Sequence, residues 1–205
     1  MTSTELLKLD SWLSERWGVQ IPEGDASPVD FSVSVIIPTH RQRPVGLEAF
    51  QSQQGVCEVI TLINGDMALE VEGGRKVSWQ GHGRTRQAAV SQAQGEFVLF
   101  SVDDALPRGS GCVRELVDAL RKGGFDAVTG RQLPWPESDR YTQDKLESWT
   151  PAGRQYSTRE QVDNVFALYP KSLLLQHPFP DVRIGEDLHW SKSHHVGYVP
   201  TAPIV

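Results

Sequence analysis

The chain has little sulfur chemistry to offer. Its 205 residues include only two cysteines, Cys57 and Cys112, far apart in sequence, a pattern that supports neither a disulfide framework nor a zinc site. Six histidines are present, but they are poorly spaced for a metal, and the neighbours His194 and His195 point apart on a helix or a strand. No apolar run approaches the roughly 20 residues that cross a bilayer. The opening MTSTELLKLDSWLSERW interrupts its apolar positions with charge, unlike a signal peptide. A net charge of -6 argues against a general nucleic-acid binder. Repeats and low-complexity tracts are lacking too. What is left is a globular protein expected in the reducing cytoplasm, long enough for one well-buried core but cramped for two.

The apolar residues that are present follow two periods. Leu6, Leu7, Leu9, Trp12, Leu13 and Trp17 lie at helical spacing, with Ser3 or Thr4 as the expected cap. A loop of Pro22, Gly24, Asp25, Ser27 and Pro28 follows, so residues 1–30 read as an amphipathic helix and linker appended to a domain at 31–205. Its apolar face has three candidate partners, of which the core is the simplest; a second copy, as in a homodimer, and a membrane surface or partner protein are the others. From Phe31 onward strand and helix alternate. Strands are expected at 33–37 (stopped by Pro38), 58–63, 76–79, 97–102 and 125–130, and helices at 45–53, 84–94 and 113–121. This alternation predicts an α/β fold, a mainly parallel sheet flanked by helices. Residues 133–160, polar and broken by Pro134, Pro136, Pro151 and Gly153, read as an irregular loop over the active-site face.

Two acidic clusters carry the chemistry. Asp103 and Asp104 leave the apolar run Phe97–Phe100, and Glu186-Asp187 sits beside Leu188 and Trp190. Carboxylates next to core segments are costly unless they hold a metal or do chemistry. In open α/β sheets ligands bind beyond the carboxyl ends of the strands, where Pro38-Thr39-His40-Arg41, Asn64-Gly65-Asp66 and Asp103-Asp104 are expected to converge. Thr39 and His40 suit a nucleotide, Asp66 suits a base or ribose hydroxyl, and Asp103 with Asp104 suits Mg2+ or Mn2+ bridging two phosphates. The plain alternative for Asp-Asp after a strand is a helix cap or loop acid. Trp135 and Trp149 are sugar-stacking platforms or loop anchors.

Three strings in this order, VSVIIPTHRQ, GRTRQAAVSQAQGEFVLFSVDDALP and DNVFALYPKSLLLQHPFPDVRIGEDLHW, resemble family 2 glycosyltransferases of the GT-A fold, and the last is similar to bacterial rhamnosyltransferase-like members. The likeness runs from about Ser32 to Pro203. It implies a metal-assisted, inverting enzyme of polysaccharide biosynthesis that moves a sugar from a nucleotide-diphosphate donor to a saccharide, lipid-linked or small-molecule acceptor. Pro38, Thr39 and His40 match the first nucleotide-binding loop. Arg86 matches a basic residue on the diphosphate or base, and Asp103 and Asp104 match the ribose- and metal-binding motif. Asp187 matches the catalytic base, with Glu186 shaping the site or the acceptor contact. Asn164 opens a segment that faces donor or acceptor sugar, where Trp190 either stacks on a sugar or packs. Membrane contact through the N-terminal helix would place the protein peripherally at the inner membrane face.

The chain departs from that pattern in three places. Asn64-Gly65-Asp66 replaces an acidic pair after the second strand, Val102 stands where the motif has its first acid, and the sequence stops at Val205, where many relatives add a metal-ligating histidine. These departures keep open a catalytically weak GT-A-like domain that binds a nucleotide sugar or a partner protein. A sugar nucleotidyltransferase ranks lower, because Pro38–Arg41 lacks a glycine-rich loop.

Overall fold

A computed structural model describes residues 1–25, 27–40, 43–64, 74–77 and 80–205. The described strands are β1 (Val33–Thr39), β2 (Val56–Asn64), β3 (Gly74–Val77), β4 (Phe97–Ser101), β5 (Ala127–Gln132), β6 (Ser157–Arg159), β7 (Phe166–Pro170) and β8 (Val196–Ile204). They form one eight-stranded sheet in the order β3-β2-β1-β4-β7-β5-β8-β6. Pairing is parallel from β3 through β4 and again between β5 and β8. β7 runs antiparallel to both β4 and β5, and β6 runs antiparallel to β8. The expected mainly parallel sheet is therefore present, with one inserted reversal. That reversal brings the start of β7 to the same sheet end as the finish of β1, β4 and β5.

The alternation of β1 explains the two packed layers. Val33, Val35 and Ile37 join Phe50 of α2 (Leu47–Gln51) and the apolar stripe Val113, Leu116, Val117 and Leu120 of α4 (Cys112–Gly123) in one cluster. Ile36 faces the other way, into a cluster shared with Ala89 and Val90 of α3 (His82–Val90), Leu174 of α6 (Lys171–Gln176) and Trp190 of α7 (Glu186–Ser191). Pro38 does not stop β1, which continues to Thr39. Beyond Ile36 the strand pairs only with β2, so it is locally an edge, where proline is tolerated.

The N-terminal helix α1 (Ser3–Trp17) packs on the core. Thr2, not Ser3 or Thr4, caps it: the Glu5 N–H donates to Thr2 Oγ1 at 3.3 Å and the Thr2 N–H donates to the Glu5 carboxylate at 2.7 Å. This reciprocal pair is a capping box. Leu9, Leu13 and Trp17 are buried against Leu106, Leu133 and Val205, and Arg108 grips Asp10 through two 2.8 Å bonds.

Residues 133–160 correct the expectation of an irregular loop. Asp139 accepts the Thr142 N–H at 2.7 Å and starts α5 (Arg140–Trp149), after which β6 adds to the sheet edge farthest from β3. Trp149 lies under the Arg159 guanidinium, 4.4 Å from its ring centre. If α1 is part of the core, Leu13→Ala should lower unfolding free energy by about 2–5 kcal/mol in a urea titration; an unchanged midpoint would mean that the helix contributes nothing.

Candidate active site

The sheet end defined by the reversal gathers most of the candidate residues. Phe166 of β7 pairs with Ser101 of β4, so Asn164 and Asp103, each two residues further out, leave neighbouring strands on the same side. Ser101 Oγ donates to the Val165 carbonyl at 2.9 Å and closes this seam. Asp103 is buried and accepts from Thr39 Oγ1 at 2.8 Å and from the His40 N–H at 3.2 Å; His40 Nδ1 lies 3.3 Å from the same oxygen. The Val45 N–H donates to the Asp103 carbonyl at 2.8 Å. Asp103 thus ties the loop after β1 to the loop after β4, while Asp104 is exposed.

The second acidic cluster is built around a buried ion pair. Glu186 is 4% exposed, and its Oε1 accepts from Arg86 Nη1 at 2.5 Å and from Asn164 Nδ2 at 3.4 Å. Tyr169, fully buried in β7, donates its hydroxyl to Asn164 Oδ1 at 2.8 Å. That bond orients the amide so that its nitrogen faces Glu186. Asp187, half-buried, accepts from the Asn164 N–H at 3.2 Å and from the Leu188 N–H at 2.8 Å. Burial raises the Asp187 pKa above the ordinary carboxylate value; the two N–H bonds oppose the shift, and the charges of Glu186 and Asp163 add to it. Burial, with Asp187 nearby, also pushes the Tyr169 phenol up, so it stays a donor.

α7 is preceded by Gly185 at its cap position, whose φ of +78° favours glycine. Gly83 of α3 faces it closely, since a Cβ there would lie 3.1 Å from Glu186 Cβ.

Two of the candidate residues lie in the interior, and a third lies outside the described residues. Arg86 does not reach outward: it is 7% exposed and bound to Glu186, with Nε lacking a partner among the described residues. Trp190 offers no ring face to a sugar. It is 3% exposed, stacks on His194 at 3.6 Å, packs against Tyr169 and Phe179, and donates Nε1–H to the His177 carbonyl at 2.7 Å. Asp66 lies outside the described residues. Pro38 is half-buried on β1. Tyr169 and the Gln132–Asp163 bond (2.8 Å) were not singled out in advance. A tyrosine ending the apolar run Phe166–Leu168 was the available signal, because a buried hydroxyl needs a partner.

No group of three or more His, Cys, Asp or Glu among the described residues could hold a metal alone. The donor chemistry fits a different arrangement: an exposed carboxylate at Asp104 beside Asp103 supplies hard oxygens of the kind that hold Mg2+ or Mn2+ together with substrate phosphates. A cavity of about 530 Å³ adjoins α3, lined by Gln80–His82 and Asp181–Ile184, and the Arg84–Asp181 ion pair stands next to it. The Glu186 charge is what makes Arg86 tolerable. Glu186→Gln should therefore cost about 3–5 kcal/mol by stranding a buried guanidinium, read as a lowered urea midpoint; a loss under 1 kcal/mol would show that the pair does not brace the site.

No protein-family model matches the chain, and no curated protein matches it in sequence. Solved structures match it in shape. TarS of S. aureus, solved with UDP-GlcNAc, aligns at 16% identity and a TM-score of 0.57 over 84% of this chain and 57% of that one. The mannosyltransferase PcManGT from Pyrobaculum calidifontis, solved with GDP-Man and Mn2+, gives 19% and 0.58 over 98% and 63%. GalNAc-T7, solved with UDP, GalNAc and Mn2+, gives 9% and 0.59 over 100% and 52%. Across the solved structures compared, the chain spans from 36% to 67% of the matched chain's length. At these identities the likeness is one of architecture: the chain has the GT-A fold.

Proposed function

We propose that the chain is an inverting glycosyltransferase of the family 2 type. It would transfer a sugar from a nucleotide-diphosphate donor to a hydroxyl of a saccharide, lipid-linked or small-molecule acceptor. The observation that carries this reading is the Asp187 carboxylate, fixed by two backbone N–H groups beside the braced Glu186, with its pKa raised by burial. A carboxylate held in one orientation and made more basic suits a general base. Asp187 takes the proton of the acceptor hydroxyl while that oxygen bonds to the anomeric carbon. The bond from that carbon to the diphosphate breaks from the opposite face, and the leaving oxygen keeps the electron pair.

Asp104, with Asp103, is the proposed site for Mg2+ or Mn2+, which when bound neutralises charge on the diphosphate. The loop of Pro38, Thr39 and His40 lies against Asp103 and is the proposed nucleotide side, together with Asp66. Asn164 is the proposed sugar-facing residue, and Arg86 serves by holding Glu186. The neighbours solved with nucleotides and Mn2+ support the donor class and the metal. A role in polysaccharide biosynthesis at the cytoplasmic side of a membrane accords with lipid-linked acceptors. No helix among the described residues is long and apolar enough to cross a membrane.

One observation favours the second reading, a weakly active binding domain. Val102, in the place of the motif's first acid, packs against the core. Thermal-shift titrations of nucleoside diphosphates and their sugars with and without Mn2+ separate the two. Active enzyme should show metal-dependent stabilisation that Asp104→Ala weakens, with turnover reduced about 10²–10⁴-fold in Asp187→Asn while donor binding persists. Because the base must be ionised, turnover should rise with pH through the raised Asp187 pKa. Metal-dependent binding without turnover would select the binding domain, and full turnover in both variants would remove these residues from the mechanism.

A further inference from the structure

Three arginines are buried among the described residues: Arg86, Arg108 and Arg131. The first two meet carboxylates, of Glu186 and Asp10. Arg131 meets none. It is 3% exposed; its Nε donates to the Thr150 carbonyl at 3.3 Å and its Nη2 donates to the Trp17 carbonyl at 3.2 Å. Among the described residues the acidic groups that act on it are the Tyr198 phenol, which donates to the Pro151 carbonyl at 2.7 Å, and Glu147, an exposed residue of α5. Buried charges are costly unless paired.

The contact with Trp17 places a cation at the C-terminus of α1, which is favourable. It accounts for part of the guanidinium and leaves Nη1 without a protein partner among the described residues. Arg131 also lines a cavity of about 190 Å³, together with Gly18–Gln20 at the end of α1, Gly153–Arg154 and Pro200–Thr201. That volume is several times the ~30 Å³ share of one water. Arg154 is exposed and likewise forms no ion pair among the described residues. Two cations that form no ion pair among the described residues, Arg131 and Arg154, thus line one cavity in a chain of net charge -6. The planar guanidinium fork matches an oxyanion geometrically.

We propose that this cavity binds a small tetrahedral oxyanion, inorganic phosphate or a phosphomonoester, with Arg131 at its floor and Arg154 at its mouth. The site is separate from the acidic crevice and does not depend on the transferase reading. Sodium phosphate and glycerol 3-phosphate, each titrated into the full chain against chloride of equal ionic strength, should raise the melting temperature saturably. Backbone amide shifts should change around Gly18, Gly153 and Thr201. Arg154→Gln should weaken phosphate about tenfold, the scale of one charge-assisted hydrogen bond, and Arg131→Lys should weaken it further. If Arg131→Lys fails to fold, Arg154→Gln decides alone. Binding of phosphate only would identify the free ion as the ligand, and binding of both probes an open mouth that accepts esters; either supports the site. No saturable response, shift changes confined to the Asp103–Asp104 loop, or undiminished binding in Arg154→Gln would each overturn it.

Discussion

Burying Glu186 is the act on which the candidate site depends. A carboxylate at 4% exposure is several kcal/mol less stable than in water unless a cation and further hydrogen bonds compensate. Arg86 supplies the cation, which sets the rotation of α3: Arg86 points inward, and a side chain at Gly83, almost one turn earlier, would crowd Glu186, a Cβ there lying 3.1 Å from the Glu186 Cβ. α7 is thereby held against α3 at its first residue. Asp187, next in the chain, is left half-buried with its oxygens turned to the Asn164 and Leu188 N–H groups. The ion pair does no chemistry in this account. It fixes where the Asp187 carboxylate stands.

The inserted strand β7 completes the arrangement. Its antiparallel direction places Asn164 at the sheet end where β4 releases Asp103, and it carries Tyr169 into the core behind Asn164. One residue then serves both acids, since the Asn164 backbone N–H binds Asp187 while its side-chain amide reaches Glu186. The reversal of a single strand converts two acidic clusters about 80 positions apart in sequence into parts of one rim.

Much of this frame is legible in the chain because strand signals are local. Val33–Ile37 and Glu58–Ile63 declare themselves through β-branched and apolar residues, and the stripe of α4 through its 3.6-residue period. The acids could be singled out because charge beside apolar runs is rare. What was not legible depends on partners distant in sequence. The direction of β7 is a property of its neighbours, not of Phe166–Pro170. Trp190 has the same sequence signature whether it stacks on a sugar or packs on Tyr169, and only the fold decides. The Arg86–Glu186 bond joins residues 100 positions apart, so no local pattern announces it. In residues 133–160 the prolines outweighed Asp139, whose capping bond starts a helix that buries no residue.

Arg86 and Arg131 show how a similar depth of burial leads to different chemistry. A carboxylate neutralises a guanidinium, so the Arg86–Glu186 pair presents little net charge and acts as a brace. Carbonyl groups offer only dipoles, whose potential falls off faster than that of a charge. The two backbone partners of Arg131 satisfy hydrogen bonds without cancelling the cation, and Glu147, the carboxylate that acts on it among the described residues, is exposed, where its field is screened. Burial accordingly lowers the Arg131 pKa, yet an arginine remains protonated at any physiological pH. The uncancelled charge therefore persists beside the cavity, and an anion entering there would meet a preorganised cation that has already lost its water. A chain acidic overall can in this way hold an anion at one end of α1 and, on the proposed reading, a metal-bound diphosphate at its carboxylates.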